Sequence, residues 1–219
     1  MAFRASALAF LAAALLLTAC DQGRNYPTNL GDGDYNLEAM ALTQADLPAG
    51  FTQGDGFEFT SDEWAQLYDT DDTEATVRQL EAQGWLRNWV TEAVPDGFGR
   101  VLNIRSISTL YTDEAAAQES TEKFACGLPV SLSVPLEPFI VSKIGEQTNG
   151  FFVDEDIDSA GTKLTYTTVC FRTGRIVHVV QEGSLPGLED IADSLRTANT
   201  MLKHVNAAYD NPVKADDGG

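Results

Sequence analysis

Two histidines, three cysteines and thirty-three carboxylates are the groups in this 219-residue chain that could do chemistry. Nucleophilic catalysis needs a base to activate the attacking group, and histidine is the usual one. His178 lies in the run RIVHVV, alternating with Val177 and Val179, so in a strand it faces away from both. His204 sits beside Lys203 in a stretch of helical periodicity. Neither comes with a nucleophile motif. Gly183-Ser184-Leu185-Pro186-Gly187 has the wrong spacing for a strand-to-helix nucleophile elbow. No paired-histidine zinc motif and no glycine-rich phosphate loop occurs. Both histidines are read as structural, and no catalytic residue, metal ligand or cofactor is assigned.

Acidic clusters raise the question of calcium. Asp154-Glu155-Asp156-Ile157-Asp158 has the alternating start of a calcium loop. Its sixth position is Ser159, where the loop turns on glycine, and its twelfth is Thr165, where a bidentate glutamate belongs. The cluster from Asp69 to Glu74 lacks the same features and reads as a helix cap. Carboxylate pairs of the glycosidase kind are not distinguishable among so many acids. One stretch is more specific. If WLRNWV is a strand, Trp85, Arg87 and Trp89 project to one face, and two indoles flanking a guanidinium can stack a planar or apolar ligand. If a helix covers that face, the same indoles belong to the core.

The third class of reactive group is the thiol. The chain opens MAFR, continues with a 13-residue apolar run from Ala5 to Leu17, and closes on Thr18-Ala19-Cys20. One positive charge, an apolar stretch and small residues form a secretory signal. As a helix the run reaches about 20 Å, short of the roughly 30 Å hydrocarbon core of a bilayer. Leu17-Thr18-Ala19-Cys20 resembles the bacterial lipobox. The resemblance implies cleavage before Cys20, a thioether lipid on its sulfur and acylation of the new amino group. Two or three acyl chains anchor stably where one does not. With Cys20 lipidated, Cys126 and Cys170 remain, an even number in an oxidising compartment, and a disulfide between them is expected.

These groups must be positioned by a body of modest size. Residues 1–19 are read as the signal, which carries Arg4 and no acid, so its removal takes the net charge from −19 to −20. Such a surface repels nucleic acid and anionic headgroups alike, so membrane attachment must come from lipid. Residues 20–36 read as a flexible, lipidated tether, reaching about 20–25 Å on average. Residues 37–210 read as one globular domain, and 211–219 as a disordered tail. Within the domain, Ser61 and Thr112 are expected to cap helices, with Trp64, Leu67 and Tyr68 on one helical face. A second helix starts near Asp72 and stops at Gly84. Val101–Tyr111 is a β-branched strand, and 162–172 with 175–181 form a hairpin turned at Thr173-Gly174. A closing helix carries Leu188, Ile191, Leu195, Ala198, Leu202, Val205 and Tyr209 at three- and four-residue steps. The expected fold class is α+β, an antiparallel sheet flanked by helices.

The order DLPAGF, YTDEAAA (Tyr111–Ala117), IGEQTNGF (Ile144–Phe151), VCFRTGRIVHVV (Val169–Val180) and a closing helix resembles bacterial lipoproteins and sensor-kinase ectodomains with a PsbP/Mog1-like or mycobacterial sensor-like sandwich. The resemblance spans roughly 170 residues. It implies binding or assembly roles and carries over no catalytic residue. The expectation is therefore a membrane-anchored module outside the cytoplasm that binds an envelope protein or a small ligand and no nucleic acid. A cell-envelope hydrolase, or an assembly or structural factor, is the alternative.

Overall fold

The computed structural model describes residues 24–67, 72–128, 135–156 and 163–212. Long β-branched runs build its centre. Strands β3 (Trp85–Pro95), β4 (Val101–Tyr111), β6 (Gln147–Asp156), β7 (Lys163–Thr173) and β8 (Ile176–Ser184) pair antiparallel in the order β3-β4-β8-β7-β6. Short strands finish the edges. At one edge β1 (Phe51–Gln53) and β2 (Phe57–Phe59) both pair with β3; at the other, the two residues of β5 (Glu137–Pro138) pair with β6. Thr173 stands opposite Ile176, which leaves Gly174-Arg175 as a two-residue turn with Gly174 at φ 57°. Glycine takes that left-handed conformation without the Cβ clash other residues meet.

Alternation along the strands gives the sheet two apolar faces. The first carries Ile104 and Leu110, Val169 and Phe171, Ile176 and Val180, covered by helix α4 (Ile191–Asp210) and by Tyr26 to Leu42. The second carries Ile107 and Tyr111, Cys170, Val177 and Val179, covered by α1 (Ser61–Leu67), α2 (Thr73–Ala82) and α3 (Glu114–Lys123). The α+β class expected from the sequence is the observed one. Among the described residues no helix is long and apolar enough to cross a membrane.

Helix starts follow acid and hydroxyl chemistry. Asp72, Asp113 and Asp190 each accept from backbone N–H groups of the first turns of α2, α3 and α4. Two expected caps move by one residue. Thr60 and Glu63 form the reciprocal box that opens α1, in place of Ser61, and Asp113 opens α3, in place of Thr112. Trp64 is buried under α1, whereas Leu67 is exposed; Tyr68 lies outside the described residues.

The expected tether is corrected over 24–36. Tyr26 (7% exposed) and Tyr35 (3%) are core residues, with ring centroids 5.1 and 6.4 Å from that of Tyr209. Arg24 Nη2 pairs with Asp210 Oδ1 at 2.6 Å, and Tyr26 Oη donates to Asn206 Oδ1 at 2.9 Å. Gly, Asn and Asp dominate the composition of this stretch, yet two tyrosines decide its fate. Burying a large apolar side chain is worth about 1.5–3 kcal/mol, and Leu30, the Asp32–Arg175 pair and the Arg87 bonds to the Asp32 and Tyr35 carbonyls add to the two tyrosines in holding the stretch down. The packed body thus begins at Arg24 and not at Leu37. Residues 20–23 and 213–219 lie outside the described residues, and with them Cys20 and most of the expected tail.

Candidate functional site

Trp85, Arg87 and Trp89 do not form the shared face expected of them. A bulge between Trp85 and Arg87 inserts Leu86, so Trp85 stands opposite Tyr111 and Arg87 opposite Leu110. Those partners face opposite sides of the sheet, and the slip of one residue sends the side chains with them. Trp85 is buried in the second core beneath α1 and α2. Trp89 packs against the first core, with Gly56 lying so flat on its indole that a Cβ there would come within 2.6 Å. Both indole N–H groups are buried, so neither is offered to a ligand. Arg87 is engaged by Glu58 and by the carbonyls of Asp32 and Tyr35, each at 2.9 Å. Its guanidinium fastens the 32–35 segment to the sheet.

Cys126 and Cys170 are joined in a disulfide, with Cα atoms 6.4 Å apart. His178 is fully buried between Ser108 Oγ (2.9 Å from Nδ1) and Thr173 Oγ1 (2.8 Å from Nε2), stacked on Phe171. Burial drives its pKa down to about 3. His204 Nε2 lies 2.8 Å from Asp46 Oδ2 at the edge of α4. Of the acidic run at 154–158, Asp154 accepts from Thr165 Oγ1 at 2.8 Å, while 157–162 lie outside the described residues, as do 68–71 of the second cluster. Among the described residues no three His, Cys, Asp or Glu side chains converge as a metal site would require.

What the structure does bring together lies at the other end of α4. The turn Pro48–Phe51, the β3–β4 loop from Pro95 to Val101, and the first turns of α4 enclose a cleft of about 490 Å³. Glu182 of β8 forms part of its wall and is 5% exposed. Its Oε2 accepts from Ser194 Oγ and its Oε1 from Thr197 Oγ1, both at 2.8 Å. Burial raises its pKa; the two hydroxyls and the Arg100 charge oppose that, and Asp193 adds to it. Arg100 reaches from the loop to Asp190 (3.1 Å) and to Asp193, and Arg196 also holds Asp193. Asp96 N donates to Gly50 O at 2.7 Å and Asp96 Oδ1 accepts from Thr52 Oγ1 at 2.8 Å, tying the two loops together. At the tip Phe98 is fully exposed, and Val94, Leu185 and Leu188 add half-exposed apolar surface at the same end. The arrangement offers hydrogen-bond acceptors and charge inside an apolar collar, a combination suited to orienting a ligand.

Sequence reasoning missed this site, although one signal for it is present. Along β8, Ile176, His178, Val180 and Glu182 alternate onto the first face. An acid in phase with a core stripe is a buried acid. A carboxyl kept dry in a cleft carries a cost, which gives the first prediction. Its folded pKa is raised, so the fold is least strained with Glu182 neutral; that stability is present below the ordinary glutamate range and lost as pH rises through the folded pKa. Glu182→Gln is expected to melt at a higher temperature than the parent at neutral pH, with the gap closing on acidification. Thermal scans across that range check it; an amide variant that is less stable at neutral pH contradicts it.

An antiparallel sheet clad by helices on both faces, with a mixed cleft at one end, defines an α+β sandwich domain. No family model matches the chain, and no curated protein matches it in sequence. In structure it is similar to the extracellular domain of PknH from Mycobacterium tuberculosis, with a TM-score of 0.51 and 10% identity over 80% of this chain and 96% of that one. At that identity the likeness is one of fold.

Proposed function

We propose that this protein is an extracytoplasmic lipoprotein, anchored through Cys20, whose domain binds an envelope protein or small ligand in the Glu182 cleft. The observation that carries the binding role is the cleft itself: a carboxyl held dry by two hydroxyls, beneath loops that expose Phe98. A purely structural wall has no need of that carboxyl, since an apolar side chain would fill the space at lower cost. The Cys126–Cys170 bond supports an oxidising compartment, and the signal-like start with Leu17-Thr18-Ala19-Cys20 supports the anchor. A hydrolase of the glycosidase kind in this cleft would need a second free carboxylate; Asp193, beside Glu182, is taken up by two guanidinia, and Asp96, also on the lining, accepts from Thr52 Oγ1.

Two measurements test the reading. Palmitate labelling is expected to mark the full chain and to vanish in Cys20→Ser. A pull-down from envelope extract with the folded body, residues 24–212, is expected to retain a component that Phe98→Ala and Glu182→Gln both release. Retention unaffected by either substitution places binding elsewhere and rejects the cleft.

A further inference from the structure

The packing of residues 24–36 changes where the domain stands. Arg24 and Tyr26 are held at the C-terminal end of α4 by Asp210, Asn206 and Tyr209. Between Cys20 and Arg24 the chain has four peptide links, at most about 14 Å fully extended. The leash expected from the sequence ran on to Asn36 and reached further; here most of that length is spent against the body.

Two rulers then measure the distance from the foot to the cleft. Helix α4 has 20 residues, which at 1.5 Å each is about 30 Å. Arg24 pairs with its last residue, while Asp193, Arg196 and Thr197 of its first turns line the cleft. Strand β8 runs alongside for nine residues, again about 30 Å. It starts beside the Gly174 turn, which touches Pro27 and Thr28, and carries Glu182 near its far end. Foot and cleft are therefore at opposite poles.

We propose that the domain stands on the bilayer by the pole that carries Arg24 and Asp210, with the Glu182 cleft and Phe98 turned away from the lipid. This rests on the lipidation of Cys20 proposed above. The leash is shorter than half the length of the domain, so the cleft pole cannot be inverted onto the membrane while the Arg24 and Tyr26 contacts hold. Arg24 at the foot pairs with Asp210, so the leash, and not an excess of positive charge, holds this pole to the bilayer. The partner that fits is consequently one that arrives from the aqueous side, and the exposed phenyl ring of Phe98 serves that encounter and not insertion into lipid.

The test uses the full lipidated chain in phosphatidylethanolamine–phosphatidylglycerol vesicles containing a headgroup nitroxide quencher. A fluorophore is placed at Asn29→Cys near the foot or at Gly97→Cys near the cleft; both positions are exposed, and Gly97 has open space around it. Loss of emission at 29 and none at 97 is expected. Tyr26→Ala, which frees the leash, is expected to restore emission at 29 while the protein still floats with the vesicles. Quenching at both positions, or at 97 alone, overturns the orientation. Failure of the parent chain to float overturns the lipid anchor and the orientation with it, a result distinct from the other two.

Discussion

Reducing the Cys126–Cys170 bond, or replacing either cysteine by serine, is expected to remove about 4 kcal/mol of folding stability. The crosslink closes a separation of 44 residues, and the chain-entropy argument gives that figure for a loop of this length. Its position decides how much of that figure is realised. Cys170 is buried on β7 within the second core, and Cys126 lies in the turn after α3. That turn holds Ala125 at φ 47°, Cys126 at 62° and Gly127 at 77°. Left-handed geometry costs a residue with a Cβ about 1–2 kcal/mol, so two of the three positions are strained. Cut the bond, and the turn gains freedom to relax away from the sheet, which returns part of that strain and makes about 4 kcal/mol the upper figure. For a chain of this size, about 4 kcal/mol corresponds to a fall of roughly 8–16 °C in melting temperature. Urea titrations with and without reductant check it. An unchanged midpoint in the reduced protein would mean that core packing alone holds the turn.

Acid is expected to act through His178. The ring is fully buried on the first face, where no carboxylate is hydrogen-bonded to it; its two nitrogens meet only the hydroxyls of Ser108 and Thr173. The second hydroxyl also lies 3.3 Å from that of Tyr209, which donates to Thr173 O at 3.0 Å. Burial lowers the histidine pKa from 6.5 to about 3. A base whose folded pKa is depressed contributes stability that is complete above its unfolded pKa and drains away as pH falls toward the folded one. At about 1.4 kcal/mol per unit, the full loss approaches roughly 5 kcal/mol near pH 3. Glu182 works in the opposite sense, since its neutral form is the favoured one. Asp46 and Asp190, whose pKa values are lowered by their hydrogen bonds and charged neighbours, lose their contribution only at the acid end of the range. From pH 6.5 downward the loss of stability therefore comes from His178, with Glu182 offsetting part of it. Histidine ring resonances followed by NMR should show one imidazole that stays neutral until the protein unfolds. A titration of both rings near the ordinary histidine value in the folded state would reject this account.

Legibility varied along the chain for physical reasons. The Gly174 hairpin, β4 and α4 could be read because local rules govern them: a turn glycine, β-branched alternation, and an apolar stripe at helical spacing. The Trp85–Arg87–Trp89 face failed because a bulge is decided by pairing across strands, and nothing in six residues announces an extra one. The stretch 24–36 failed because composition averages over residues, whereas Tyr26 and Tyr35 act singly through what they meet on Tyr209. The cleft joins three segments distant in sequence, 48–51, 95–101 and 182–197, so only its most conspicuous member, Glu182, left a trace in the pattern of β8.

The sheet's margins carry one more consequence. One edge ends in β1 and β2, three residues each; the other ends in β5, two residues that include Pro138, beside a β6 that finishes in Asp154, Glu155 and Asp156. Molecules confined to a plane collide with their own kind far more often than molecules free in a volume. A long bare margin would let such neighbours zip together backbone to backbone. Here the outermost strands are two or three residues long, one of them holds an imino acid, and the stretch of β6 beyond β5 carries Asp154 and Glu155, whose like charge opposes the zipping of two copies should the proposed anchor gather them at a surface.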